Sequence, residues 1–112
     1  MAPLVRSIGI VNVVDLQGRI TIGSAEISEM TDALQDLLHA GRRRILLNLA
    51  GVTIIDSAGI GVLVAHFKRA ADGGGVIKLL SPDKRIADML ERTKLYGIFE
   101  IFRDETEAIA SY

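Results

Sequence analysis

Between an apolar strand and a helical stretch stands Asp56-Ser57-Ala58-Gly59, a serine with an acid before it and a glycine two residues after. Aspartate and serine both accept bonds from the free N–H groups of a helix start, so one of them can simply cap the helix. The same place also suits a second chemistry. A hydroxyl at a helix N-terminus lies where the dipole favours negative charge, and a phosphate can be borne there. A nucleophilic role lacks support. Ile55 stands where the first glycine of a G-x-S-x-G elbow would be, and no residue nearby offers itself as a general base. Ser57 reads as a substrate of another protein's active site rather than as a catalyst. Gly59 and Gly61 leave the first turn bare for such an approach.

The helix that follows carries small residues on one line. Ala58, Val62, Ala65 and Arg69 recur at helical spacing opposite the expected core stripe of Ile60, Leu63, Val64, Phe67, Ala70 and Ala71. They are either tolerated small residues on a solvated face or a docking strip for a partner, starting one residue from Ser57.

Other groups that could do chemistry do not converge. His39 and His66 fall on different helices with no clustered acid or cysteine, so metal ligation is not expected. Arg42-Arg43-Arg44 follows a helix end, where cations suit the dipole. Gly73-Gly74-Gly75 lacks the Lys-Ser/Thr of a phosphate-binding loop and precedes a strand. No dinucleotide fingerprint follows the first strand. No cofactor is expected.

These groups need elements to hold them. Leu4–Ile8 and Ile10–Leu16 read as a strand pair, and Gly18 marks a turn or bulge. Ser24 caps a first helix whose apolar face is Ile27, Met30, Leu34, Leu37 and Leu38, with Gly41 as its stop. "RRRILLNLAGVTII" is a continuous apolar strand of the kind covered on both faces. After the Ser57 helix comes "VIKLLS", a short buried strand. Ser81-Pro82 reads as cap and first residue of a third helix, with Ile86, Met89 and Leu90 inward. "IFEIF" reads as a last strand, and Asp104 and Glu107 as the capping pair of a short terminal helix. The order β-β-α-β-α-β-α-β-α requires right-handed crossovers and a mostly parallel sheet. The expectation is one α/β domain over residues 1–112.

The 112 residues carry a net charge of −1 and no cysteine, which leaves neither disulfides nor thiol chemistry. With no charge excess, direct nucleic-acid binding is not expected. No uncharged apolar run reaches the ~20 residues of a membrane span. A soluble, cytoplasmic protein is the expectation.

"LNLAGVTIIDSAGIGVL", with "GRIT" upstream and "LLSPDKRIADMLERTKLYGIFEIFRDETEAI" downstream, resembles the STAS-domain family, and within it the anti-sigma factor antagonists. The resemblance implies a mixed, mostly parallel sheet with an N-terminal β-hairpin and about four helices. It also implies a partner: an anti-sigma factor that is a serine kinase of the histidine-kinase-like ATPase fold. Binding would free the sigma factor, phosphorylation of Ser57 would end the binding, and a phosphatase would restore it. Asp56 is the acid before that serine. In these relatives the position after the serine is usually Ser or Thr, and here it is Ala58. Lys94 stands where they commonly place a glycine. Other STAS domains serve as accessory subunits of lipid-transport or stress-sensing complexes without phosphorylation. The same helix start could also serve a small anion- or nucleotide-binding module.

Overall fold

The computed structural model describes residues 3–92 and 97–112. Lys94 lies outside them. Nine elements follow one another: β1 (Leu4–Ile8), β2 (Val11–Ile20), α1 (Ala25–His39), β3 (Arg44–Ile55), α2 (Ser57–Asp72), β4 (Val76–Leu80), α3 (Lys84–Arg92), β5 (Ile101–Phe102) and α4 (Glu105–Ala110). The strands form one sheet in sequence order, with β1 antiparallel to β2 and the other pairings parallel. The α/β reading, the mixed sheet and the N-terminal hairpin are all present.

The sheet is covered on both faces, and the sequence divides accordingly. Leu34, Leu47, Leu63, Ile77 and Ile86 belong to the larger core, under α1, α2 and α3. Val11, Val13, Leu46, Leu80 and Ala108 form a smaller one under α4. Neighbours in β3 such as Leu46 and Leu47 therefore point to opposite sides and are both fully buried, which explains why that strand is apolar without alternation. Burying each such side chain contributes about 1.5–3 kcal/mol.

Local signals hold at most ends. Ser24 accepts the N–H of Ile27 and caps α1. Gly41 takes φ +76° just past its end, while Gly41 N–H donates to Leu38 O and Arg42 N–H to Leu37 O. That closing pair suits glycine in the left-handed conformation. Asp104 accepts Glu107 N–H at 2.9 Å and caps α4.

Three boundaries differ from the sequence expectation. β2 does not stop at Leu16 but runs to Ile20, absorbing Gly18 as an irregularity, with register shifts between Asp15 and Gln17 and between Gly18 and Arg19. α3 starts at Lys84, not at Pro82. Asp83 Oδ1 accepts Ile86 N–H at 2.9 Å and is the cap, while Ser81 adopts φ +52° and donates its hydroxyl to Arg103 O. The last strand shrinks to Ile101–Phe102, because Phe99 leaves the strand line to enter the core, edge-on to Phe67 at 5.0 Å.

Candidate functional site at the β3–α2 junction

The site is built where two parallel strands end side by side. Ile20 pairs with Ile55 in the last register position of β2 and β3, so the residues that follow each strand emerge together. Asp56 N–H donates to Ile20 O at 3.3 Å and fastens the junction.

Asp56, not Ser57, is the helix cap. Its backbone is extended, its Oδ1 accepts Gly59 N–H at 2.9 Å, and its main-chain oxygen accepts Ile60 N–H at 3.0 Å. Its other oxygen, Oδ2, accepts the N–H of Ile22 at 2.9 Å, tying the β2–α1 loop to the head of α2. The Ile22 N–H bond, followed by that of Gly59, holds the Asp56 carboxyl below the usual carboxylate range. It is ionised and fully engaged.

Ser57 is thereby released. It is the first residue of α2 and exposed, and no hydrogen bond among the described residues engages its hydroxyl. Four of the other serines are engaged. Ser7 and Ser81 donate their hydroxyls to Asn12 and to Arg103 O. Ser24 accepts Ile27 N–H, and Ser111 accepts the Lys78 ammonium. Ser28 is exposed as Ser57 is, but it stands inside α1, past that helix's capped start, and not at a strand-to-helix junction.

Gly59 does not lie on the approach surface. It is buried, and a Cβ there would stand 2.5 Å from Ile20 O and 2.8 Å from Ile55 Cγ2. The glycine of the motif is a packing requirement: it lets the first turn of α2 settle onto the strand ends. Gly61 is the bare one, exposed with open space where a Cβ would be.

The proposed strip on α2 is rotated from where the sequence placed it. Gly59, Ile60, Leu63, His66 and Ala70 are buried, while Ala71 is exposed. Ala58 is half-buried, and Val62 is half-buried and packs against the larger core. Ala65 and Arg69 are exposed. The continuous solvent-facing line is Ser57, Gly61, Ala65 and Lys68, at the four-residue and three-residue steps of one helix face. Arg69 sits roughly 18 Å along the axis from Ser57. There it lines a cleft with Leu38, His39 and Arg43. His66 is a core residue, its Nδ1 donating to Val62 O at 2.8 Å; His39 is exposed.

One residue from outside the motif is tied to this junction. Ile22 is 80% exposed although its N–H is bound to Asp56, and Ile54 at the end of β3 is also an exposed large apolar residue. In sequence Ile22 is only one more residue of "RITIGS". Its placement depends on the β2–β3 register, which spacing along the chain does not reveal.

The STAS-domain family profile matches residues 2–108. The chain belongs to the STAS-domain family. A Thermotoga neapolitana protein named as a candidate anti-sigma factor antagonist is 36% identical over 74 residues, covering 66% of this chain and 66% of that protein's own length. The crystal structure of a candidate anti-sigma factor antagonist from Thermotoga maritima superposes with a TM-score of 0.89. It is 26% identical and covers 97% of this chain and 92% of that one. The phosphorylated form of SpoIIAA, a Bacillus cell fate determinant, shares the fold at a TM-score of 0.77 and 19% identity, over 98% of each chain. No helix among the described residues is long and apolar enough to cross a membrane.

Proposed function

We propose that this STAS domain is an anti-sigma factor antagonist that docks onto a serine kinase through the head of α2, with Ser57 as the switch. The partner is an anti-sigma factor of the histidine-kinase-like ATPase fold. Binding releases a sigma factor, phosphorylation of Ser57 ends the binding, and a phosphatase resets it. The observation that carries this reading is the division of labour at the junction: Asp56 does the capping, which leaves the Ser57 hydroxyl exposed and unengaged.

The electrostatics fit a switch. Phosphorylation adds about −1.5 to −2 charge at neutral pH. At the first position of α2 the dipole tolerates that charge, so the fold persists. The neighbouring Asp56 is ionised and already occupies the Gly59 and Ile22 N–H groups, so the phosphate stays in the solvent-facing surface. A partner seated on Ile22, Ser57, Gly61 and Ala65 then meets a dianion in what was a contact between small and apolar groups. The same occupancy by Asp56 counts against a free anion or nucleotide as the resident ligand of this turn.

Intact-mass measurement after incubation with the cognate kinase and ATP tests the reading. One phosphate is expected, and Ser57→Ala abolishes it. A phosphopeptide mapped to Ser7, Ser24, Ser28, Ser81 or Ser111 instead would overturn the assignment.

A further inference from the structure

Among the described residues no large apolar side chain is more exposed than Ile22, at 80%. A lone exposed apolar residue is common on protein surfaces and signifies nothing by itself. Ile22 differs in being held rigidly, and in being held beside Ser57.

The rigidity comes from a closed turn over Thr21, Ile22, Gly23 and Ser24. Ser24 N–H donates to Thr21 O at 3.0 Å. Gly23 takes φ +75°, the sign that a type II turn needs at its third position. Ile22 is the second position, at the corner. Ser24 Oγ accepts Thr21 N–H at 3.3 Å and Ile27 N–H at 3.1 Å, which joins the turn to the start of α1. Asp56 Oδ2 accepts Ile22 N–H at 2.9 Å, which joins it to the residue before Ser57.

The fold uses residue 22 only through its main chain. The tie to Asp56 is a backbone N–H, and the Ile22 side chain belongs to neither core. A polar side chain at this corner would serve the fold as well. What isoleucine adds is apolar surface on a fixed backbone, with a β-branched side chain that has few rotamers to lose. Groups ordered before binding spend little free energy on becoming ordered in the complex.

We propose that Ile22 is the anchor of the kinase contact, a preformed apolar knob that fills an aliphatic pocket beside the kinase's phosphoryl-transfer site. The proposal rests on Ser57 being the switch and adds the source of the grip. Interfaces concentrate their binding energy in a few buried side chains ringed by near-neutral contacts. Gly61 and Ala65, on the exposed line from Ser57, are too small to fill a pocket; Ile22 is large enough. An aliphatic side chain takes no part in the transfer itself. Its contact is therefore equal in the ground and transition states, and losing it raises KM while kcat stays unchanged.

Steady-state phosphorylation of the full chain by the cognate kinase, with the site mapped, tests this on the parent, Ile22→Ala, Ile22→Asn and Ile22→Leu. Unfolding midpoints and amide exchange at Gly59 should match the parent in all three, since the tie to Asp56 is main-chain. The expected KM rises at least about tenfold in Ile22→Ala and Ile22→Asn, with kcat and the Ser57 site unchanged. Ile22→Leu, similar in volume, stays within about threefold of the parent. The loss is the same at low and high salt, as an apolar contact requires. A parent phosphorylated at Ser57, with Ile22→Ala and Ile22→Asn also within about threefold of it in KM, overturns the anchor and leaves the switch standing. So does a rise in KM that comes with faster exchange at Gly59, which would make Ile22 a support of the turn. A parent that the kinase neither binds nor phosphorylates at Ser57 overturns the switch, and the anchor with it.

Discussion

The Asp56 carboxylate accepts the Ile22 N–H at 2.9 Å across 34 residues of chain, and the same group accepts Gly59 N–H at 2.9 Å. One side chain therefore caps α2 and fixes the loop that flanks Ser57. Removing it should loosen both. Asp56→Ala is expected to lower the unfolding midpoint and to speed amide exchange at Ile22 and Gly59 together. Faster exchange at Gly59 alone would show that the loop is held by something else.

The two glycines of the first turns should respond in opposite directions. Gly59→Ala forces a methyl to within 2.5 Å of Ile20 O; overpacking of this kind typically costs about 1–3 kcal/mol. Gly61 has open space, and an exposed helical Gly→Ala change stabilises by up to about 1 kcal/mol. Urea unfolding of the two variants reads the difference. Equal midpoints would contradict the inward placement of Gly59.

Acid stability follows in part from depressed carboxyls, Asp15 and Asp56 among them. Arg6, and then Asn48, hydrogen-bond Asp15 and hold it below the usual carboxylate range, against partial burial. Asp56 is held down by Ile22 and Gly59 N–H. A depressed folded pKa means that the unfolded chain binds protons first as pH falls. The stability these groups contribute is fully present above the ordinary carboxylate value and is lost as pH drops through their folded values. Arg6→Gln should flatten that acid limb by returning Asp15 towards its ordinary value. An unchanged slope of stability against pH in this range would contradict the assignment.

Much of this architecture was legible in the sequence, and the misses share a cause. Ser24, Gly41 and Asp104 mark element ends through contacts within a few residues, which the sequence displays. Asp56 and Ser57 are both good caps by type; the backbone decides, extended at Asp56 and helical from Ser57, and that break follows from where β3 ends beside β2, which spacing cannot show. The exposed face of α2 lies about one position from the line that spacing predicts, because Val62 and Ala65 suit either a boundary or a surface. Only packing on the larger core makes Val62 a boundary residue. The family resemblance supplied the partner and the switch; the residues alone supplied the strand-to-helix junction.

Ala65→Glu lies on the exposed line from Ser57 and should keep the unfolding midpoint while weakening kinase binding at least tenfold, about 1.4 kcal/mol. Val62→Glu buries part of a charge against the core and should lower stability instead. Calorimetric binding and thermal unfolding of both variants separate the two effects. A stable Val62→Glu would restore the original face.

Charge at Ser57 is the central claim, and the affinities of Ser57→Asp and Ser57→Ala for the cognate kinase under matched salt test it most directly. The dipole of α2 accommodates the new acid, so both variants should unfold within about 1 kcal/mol of the parent. Ser57→Ala removes a hydroxyl that no partner among the described residues uses, and it should bind as the unphosphorylated chain does. Ser57→Asp should bind at least tenfold more weakly, about 1.4 kcal/mol. Equal affinity of the two variants would show that charge at this turn does not govern the interaction, and would contradict the switch.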